Sequence, residues 1–321
     1  MPNSLRNACL LVCLALFACP ALAQPLPRAS GTALRALVWN VSREQFFDQQ
    51  VGFVAALKAM DADLIILDEM PAQRDANDVA AVLRQVDGAQ WQVVYGSSGH
   101  NQRVVFAIRG GLSPLPSFKY LAYPPRFVRE MKAMPMNPRQ QEQIGASLNA
   151  GIGAFAALAH HDGRRLLIVG VDLQCCGDSD DAWEERRRHV ESRVIRRTLD
   201  QAWSTRQPDA VIVAGDFNAV RGLKPVMLMQ GSRARPAQRL RIAPARHANG
   251  KDSWTWDGRG TPFPSRPIDF MLHSAQLRVL RALVFDPETM SAAERQALGL
   301  SAEQFIPLSA HRPVVVDFAW R

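Results

Sequence analysis

The stretch Ala210 to Val220 reads AVIVAGDFNAV. Its apolar, β-branched run marks a buried strand, and Gly-Asp-Phe-Asn falls where that strand leaves the sheet. Side chains two apart on an extended chain share a face, so Asp216 and Asn218 are expected to project together from one strand end. A carboxylate beside a neutral amide suits hydrolysis of a phosphate ester. The carboxylate orients or deprotonates an attacking water, and the amide donates to a phosphoryl oxygen without adding charge. A strand closing in an Asx-turn is the plainer account of the same residues, so the segment has to be weighed against the rest of the chain.

Outward from this strand, helices and strands alternate. Upstream, Asp181 to Trp203 has the period of an amphipathic helix, with Trp183, Val190, Val194 and Leu199 as its buried stripe and Asp181 with Glu184 as its N-terminal cap. Its arginines (186, 187, 188, 193, 196 and 197) are expected to form a solvated face, with a phosphate-binding face as the sharper alternative. Gly151 to His160 and Arg165 to Leu173 read as strands joined by a turn at His161-Asp162-Gly163. In the first third, strands are expected at Leu34–Val41 and Leu64–Glu69. A helix over Glu44–Met60 would bury Phe47, Val51, Val54 and Leu57. A second helix at Asp75–Val86 and strands at Trp91–Tyr95 and Arg103–Arg109 follow. Residues 111–150, rich in proline and methionine, read as an irregular insertion. Beyond the GDFN strand come a basic stretch at 233–246 and strands at Pro267–His273, Leu277–Phe285 and Pro313–Phe318. In Arg266-Pro267-Ile268-Asp269 the flanking apolar residues place Asp269 inside its strand. One α/β domain over residues 34–321 results.

The chain has 321 residues, 47% of them hydrophobic, enough for a large core, and a formal charge of +8 that favours polyanionic partners. Its first 23 residues read as a signal peptide: Arg6, the apolar run Leu10–Phe17, a break at Pro20 and the small-x-small site Ala21-Leu22-Ala23. Export to the periplasm or medium follows as an expectation. A lipoprotein signal at Leu16-Phe17-Ala18-Cys19 fits less well because of Phe17 and Pro20. Residues 24–33 read as a flexible leader, and no later segment is apolar for long enough to span a bilayer. Cys9, Cys13 and Cys19 lie in the signal, which leaves the adjacent Cys175 and Cys176. A disulfide framework is thereby excluded. The pair admits two small thiols or a vicinal disulfide, the thiols being the simpler reading. Two adjacent thiols with no nearby histidine make a poor zinc site.

Strand ends gather the remaining polar residues, as open sheets commonly do. Trp39-Asn40 ends the first strand, Asp68-Glu69 the second, and Asp172 the strand before the arginine-rich helix. Asp269 needs a partner if it is ionised among apolar neighbours, and Ser309-Ala310-His311 precedes the last strand. Singly these have plain roles: Asn40 could cap a turn, Glu69 the next helix, and His311 could be a loop histidine. As an ordered set, Trp39-Asn40, Asp68-Glu69, Gly215-Asp216-Phe217-Asn218, Ile268-Asp269-Phe270 and Ser309-Ala310-His311-Arg312-Pro313-Val314 resemble the endonuclease/exonuclease/phosphatase superfamily, the deoxyribonuclease-I-like metal-dependent phosphoesterases. The resemblance runs from Leu34 to Phe318 and includes Ser253-Trp254-Thr255-Trp256.

The resemblance implies a four-layer α/β sandwich of two packed, mostly antiparallel sheets flanked by helices. It implies a divalent-metal-dependent phosphoesterase acting on a phosphate-ester substrate; together with the signal segment, an exported protein is expected, and a monomer. Nucleic acid is the favoured substrate, with a phospholipid or sphingolipid headgroup and a catalytically weakened phosphate-binding protein as alternatives. Carried over residue by residue, Glu69 would be the main metal ligand with Asn40 close by. Mg²⁺ suits such hard oxygen donors, with Mn²⁺ as the alternative. Asp216 would position or activate water, Asn218 would hold the phosphoryl group, and His311 would bind phosphate or act as acid/base with Asp269 fixing its tautomer. Two departures stand out. The family's Ser-Asp-His is Ser309-Ala310-His311 here, and its Thr-His-Leu is Val171-Asp172-Leu173, with Gln102 at the matching partner position. Asp172 is therefore a candidate to return the carboxylate missing at Ala310.

Overall fold

A computed structural model describes residues 23–177, 179 and 182–321. The expected signal segment lies outside the described residues except for Ala23, and Asp181 lies outside them too. Two six-stranded sheets form the centre. In chain order the strands are β1 (Leu34–Asn40), β2 (Leu64–Pro71), β3 (Gln92–Tyr95), β4 (Gln102–Ile108), β5 (Gly111–Pro114), β6 (Ala154–His161), β7 (Arg164–Asp172), β8 (Ala210–Asp216), β9 (Arg241–Ile242), β10 (Asp269–His273), β11 (Leu277–Val284) and β12 (Val314–Trp320). The first sheet runs β11-β12-β1-β2-β4-β3 and the second β5-β6-β7-β8-β10-β9. Pairing is antiparallel except for β1 with β2 and β7 with β8.

Strand alternation builds the layers. Leu34, Ala36 and Val38 of β1 point into the core between the sheets, where they join Ile168 of β7 and Ile212 of β8. The intervening Leu37 and Trp39 face outward, onto Phe53 and Leu57 of α2 (Gln50–Met60) and Leu83 of α3 (Ala76–Asp87). On the other side Val211 and Val213 of β8 pack with Ile195 and Leu199 of α6 (Trp183–Arg206). The result is the four-layer α/β sandwich, with both sheets mixed.

Several sequence expectations need correction. The helix expected over 44–60 is broken at Gln49 into α1 (Gln45–Asp48) and α2. The break shifts the helical phase, so Phe46 and Phe53 are buried while Val51 is 85% exposed. Residues 111–150 are ordered secondary structure: β5, α4 (Pro125–Lys132) and α5 (Pro138–Asn149). Their prolines do not break structure, because Pro125 and Pro138 sit in the first turn of a helix, where no N–H is needed.

Helix α6 begins at Trp183 with Ala182 at its N-cap and no side-chain cap. Its arginines divide. Arg186, Arg193 and Arg197 are exposed, whereas Arg187, Arg188 and Arg196 are buried, so the expected solvated face is partly interior. The buried ones satisfy backbone and carboxylate acceptors. Arg187 pairs with Glu191 at 2.9 Å, and Arg196 donates to the carbonyls of Met229 and Gln238.

The leader expected to be flexible is tied down. Gln24 and Leu26 donate backbone N–H groups to Ala297 and Ala59. Arg28 contacts Asp61 and Asp63, and the buried Arg35 donates to the carbonyls of Leu26 and Pro27. No helix among the described residues is long and apolar enough to cross a membrane.

Candidate active site

Both parallel strand pairs end at the same edge of the sandwich, and their ends carry the site. At the C-terminus of β1 the Asn40 side-chain amide donates to Asp216 Oδ2 at 3.3 Å, and its Oδ1 accepts from the Ser42 N–H at 3.1 Å. Next to it, the pairing of β2 with β4 loses register between Leu67 and Met70. Glu69 lies in that bulge with φ 55°. A bulge re-aims a side chain that the pleat would otherwise send to a fixed face, and a positive φ on a non-glycine residue is characteristic of functional positions.

In the second sheet Asp172 of β7 stands in register beside Asp216 of β8, and Asp269 opens β10 directly opposite Asp216. Asp269 thus enters at the strand start and not in its interior, because Thr255 Oγ accepts from the N–H groups of Ile268 and Asp269 at 3.0 and 2.9 Å, outside the ladder. Gly215 is what permits the close approach of β7 and β8. It has φ 144°, and a Cβ there would meet the Val171 carbonyl oxygen at 1.8 Å.

Asp216 and Asn218 do meet, by a different route from simple strand alternation. Strand β8 ends at Asp216, Asn218 takes φ 45°, and its N–H donates to Asp216 Oδ1 at 2.7 Å. That is the Asx-turn, so the plainer account and the functional one describe the same geometry. The Asn218 side-chain amide donates to the Leu173 carbonyl at 2.7 Å, which leaves one amide hydrogen for other use.

His311 completes the group. Its Nδ1 lies 2.9 Å from Asp269 Oδ2 and 3.9 Å from Asp216 Oδ2. Ser309 holds the loop, with its Oγ donating to the Asn40 carbonyl at 2.8 Å and accepting from the His311 N–H at 3.0 Å. Trp39 Nε1 donates to the His311 carbonyl at 3.0 Å. Asp216, Asp269 and His311 offer ligand atoms all within 4.8 Å of one another, a group compatible with a metal ion.

Charge is concentrated here. Burial opposes the charged form of His311, but the Asp269 and Asp216 carboxylates prevail and push its pKa up to about 9. Burial, then the Asp269 carboxylate, raises Asp216 to about 8, against the opposing pull of His311 and the Asn218 N–H. Burial and the neighbouring acids raise Asp68 and Asp172 well above the carboxylate range. Asp68 was visible in the sequence only as the neighbour of Glu69. In the structure it is fully buried, accepts the Asp216 N–H on Oδ2 at 2.9 Å, and has no partner for Oδ1. No periodicity could mark it, since its partner is on the other sheet.

Two cavities flank this edge. One of about 550 Å³ is lined by Glu69, Asp216, Asn218 and His311. A second of about 310 Å³ is lined by Glu69, Asp172 and Gln102, with Arg43, Tyr123 and Arg187. Glu69 lines both, and Arg43 Nε lies 3.7 Å from its carboxylate. The structure therefore brings Asn40, Asp216, Asp269 and His311 into one hydrogen-bonded group with Asn218 and Glu69 at its cavity, while Asp172, in register beside Asp216, lines the second cavity with Glu69. Cys175 and Cys176, read more simply as thiols, are joined as a disulfide and reach the larger cavity.

Comparison with solved structures agrees with this architecture. An endonuclease/exonuclease/phosphatase from Bacteroides vulgatus is 13% identical, with a TM-score of 0.56 over 90% of this chain and 99% of its own. The catalytic domain of human Nocturnin, solved with a bound sulfate anion, is 17% identical with a TM-score of 0.56 over 90% of this chain and 94% of its own. TDP2 of D. rerio, solved with a single-strand DNA product, is 15% identical with a TM-score of 0.52 over 89% of this chain and 98% of its own. At these identities the likeness establishes the fold. No curated protein matches the sequence. The sequence of residues 37–291, by contrast, matches the Endonuclease/Exonuclease/phosphatase family, most of the chain and all the strands from β2 to β11 that carry Glu69, Asp172, Asp216 and Asp269. The chain is a member of the endonuclease/exonuclease/phosphatase family.

Proposed function

We propose that the protein is an exported, divalent-metal-dependent phosphoesterase, the reading supported above all by the Asn40–Asp216–Asp269–His311 group beside a cavity that Glu69 enters. Family members are generally metal-dependent hydrolases. The donor set fits a hard cation: carboxylate and amide oxygens crowded together, with a buried Asp68 oxygen lacking any partner. Glu69 would hold the ion with the Asn40 oxygen, and Asp172 would add the carboxylate that Ala310 lacks. When bound, a divalent cation neutralises phosphoryl oxygens and the leaving group. Support for Asp172 is its register beside Asp216 and the influence on it of Glu69, Asp68 and Asp216. Adjacent strands lie only about 4.8 Å apart.

The chain's own groups then have these roles. Asp216, held by Asn40, the Asn218 N–H and the pairing with Asp269, orients and deprotonates water. The free Asn218 amide hydrogen donates to a phosphoryl oxygen. Asp269 accepts from His311 Nδ1, which keeps Nε2 directed away from that carboxylate to bind phosphate or carry a proton. Nucleic acid is the first substrate class to try, because TDP2 of D. rerio was solved with a DNA product and the chain is basic. Export is supported by the signal-like segment ending at Ala23 and by the disulfide, which suits an oxidising compartment.

Purified protein from Gln24 onward should cleave bis-p-nitrophenyl phosphate or plasmid DNA with Mg²⁺ or Mn²⁺ and stop on addition of EDTA. Glu69→Ala and His311→Ala should each lower kcat by about 10²-fold or more. A folded protein inert towards a full panel of phosphate esters would instead support the phosphate-binding alternative.

A further inference from the structure

The larger cavity changes character with distance from the catalytic group. Past Asp216 and His311 its walls are Trp256, Pro262, Phe263 and Pro264 from one loop and the Cys175–Cys176 disulfide from another. Phe263 is 54% exposed, an unusual position for a phenyl ring on a loop that is itself firmly held. Thr261 Oγ donates to the Gly258 carbonyl at 2.8 Å, and Ser265 Oγ accepts the Gly258 N–H at 2.9 Å. Arg259 pairs with Asp257 and Glu288, each at 2.6 Å. The disulfide loop is held as firmly. The buried Arg188 guanidinium donates to the carbonyls of Gln174 at 2.9 Å and Gly177 at 2.7 Å, and also to that of Cys176.

Two pinned loops thus present flat, apolar surfaces, an aromatic face, proline rings and a disulfide, to the space that opens onto the hydrolytic centre. Among the described residues lining this cavity, Arg266 is the one basic side chain besides His311 of the catalytic group. That is too few to follow a polyphosphate backbone. The volume of about 550 Å³ lies in the range of small-molecule sites.

We infer that this cavity is a ring-binding subsite: the substrate carries, on the phosphorus held at Asp216 and His311, a group with a single flat, largely apolar ring that packs against Phe263 and the Cys175–Cys176 disulfide. The inference rests on the phosphoesterase reading for what lies at the phosphorus. An aromatic alcohol and a nucleobase both supply such a ring. Aromatic and apolar surfaces select flat rings over chains through offset-stacked and edge contacts.

Isothermal titration in Mg²⁺ of the mature protein with methylphosphonate, n-octylphosphonate, phenylphosphonate and thymidine 5′-monophosphate tests this. Phenylphosphonate or the thymidine compound should bind about tenfold or more tighter than methylphosphonate. The stronger of the two identifies whether an aryl group or a nucleobase is the natural ring. Phe263→Ala should reduce the ring-over-methyl affinity ratio by about fivefold or more, and Phe263→Tyr should restore it. Equal affinities for methyl and ring compounds would overturn the inference. So would octylphosphonate binding as tightly as phenylphosphonate, or no phosphonate binding at all. Turnover of bis-p-nitrophenyl phosphate on the same preparation separates the two claims. Turnover without ring preference removes the subsite alone, and ring preference without turnover removes the reaction alone.

Discussion

His311 and Asp269 show how one residue sets another. Burial disfavours the imidazolium, but the Asp269 carboxylate 2.9 Å from Nδ1, helped by Asp216, pushes its pKa up to about 9. Because the folded pKa lies above the ordinary 6.5, the pair's contribution to stability is complete below about 6.5 and is lost as pH rises through about 9. Activity that needs the protonated ring should fall over the same upper range. Asp269→Asn removes the main charge that raises the pKa, so the alkaline limb of kcat/KM should move down by roughly 1–3 units. A limb that stays in place would show that Asp269 does not govern His311. Gly215 makes a purely steric prediction. Any Cβ there meets the Val171 carbonyl at 1.8 Å in a left-handed backbone. Gly215→Ala should cost about 2 kcal/mol or more in denaturant unfolding, beyond the usual effect of a surface change.

At the scale of elements, α6 shows why composition misleads. An arginine-rich helix reads as solvated, yet Tyr123 on the segment before α4 donates to Glu191 at 2.5 Å, and Glu191 also accepts from Arg187 and from the Gln174 N–H, both at 2.9 Å. Helix α6 is thereby fastened to the 111–150 segment and to the loop carrying the disulfide. Glu191→Ala would leave the buried Arg187 uncompensated and should destabilise by about 3–5 kcal/mol, measured by urea unfolding. Arg193→Ala, on the exposed side, should stay within about 0.5 kcal/mol. Equal effects would restore the solvated reading. Similar logic explains why 111–150 was hard to read. Pro125 and Pro138 look like breakers until the helices they start are known.

For the whole molecule, Arg35 ties the leader to the last strand of the first sheet. Arg35 binds Asp317 at 2.6 Å in a fully buried pair and reaches the carbonyls of Leu26 and Pro27. Beginning the chain at Thr32 should therefore strip acceptors from a buried guanidinium and lower Tm by several degrees, roughly 2–4 °C per kcal/mol for a chain this large. Asp317→Ala, which leaves the same guanidinium without its counter-charge, should be worse, about 3–5 kcal/mol. An unchanged Tm on truncation would mean that residues 24–31 are only resting on the surface.

Much of the molecule follows from local pattern. Strands β1, β2, β4, β7, β8 and β12 are apolar runs whose alternation announces them, and the polar residues at their ends announce an edge with chemistry. Asn40, Glu69, Asp216, Asn218, Asp269 and His311 were all legible in that way, because each ends or borders an element. Local pattern cannot say which strand ends face one another. Tertiary structure alone decided that Asp68 lies under Asp216, that Asp172 lines a cavity His311 does not, that three of the seven α6 arginines are interior, and that Phe263 shares a cavity with a disulfide nearly ninety residues away in sequence. Periodicity is a property of neighbours along the chain, whereas burial and charge coupling are properties of neighbours in space, and here the chemistry is carried by the second kind.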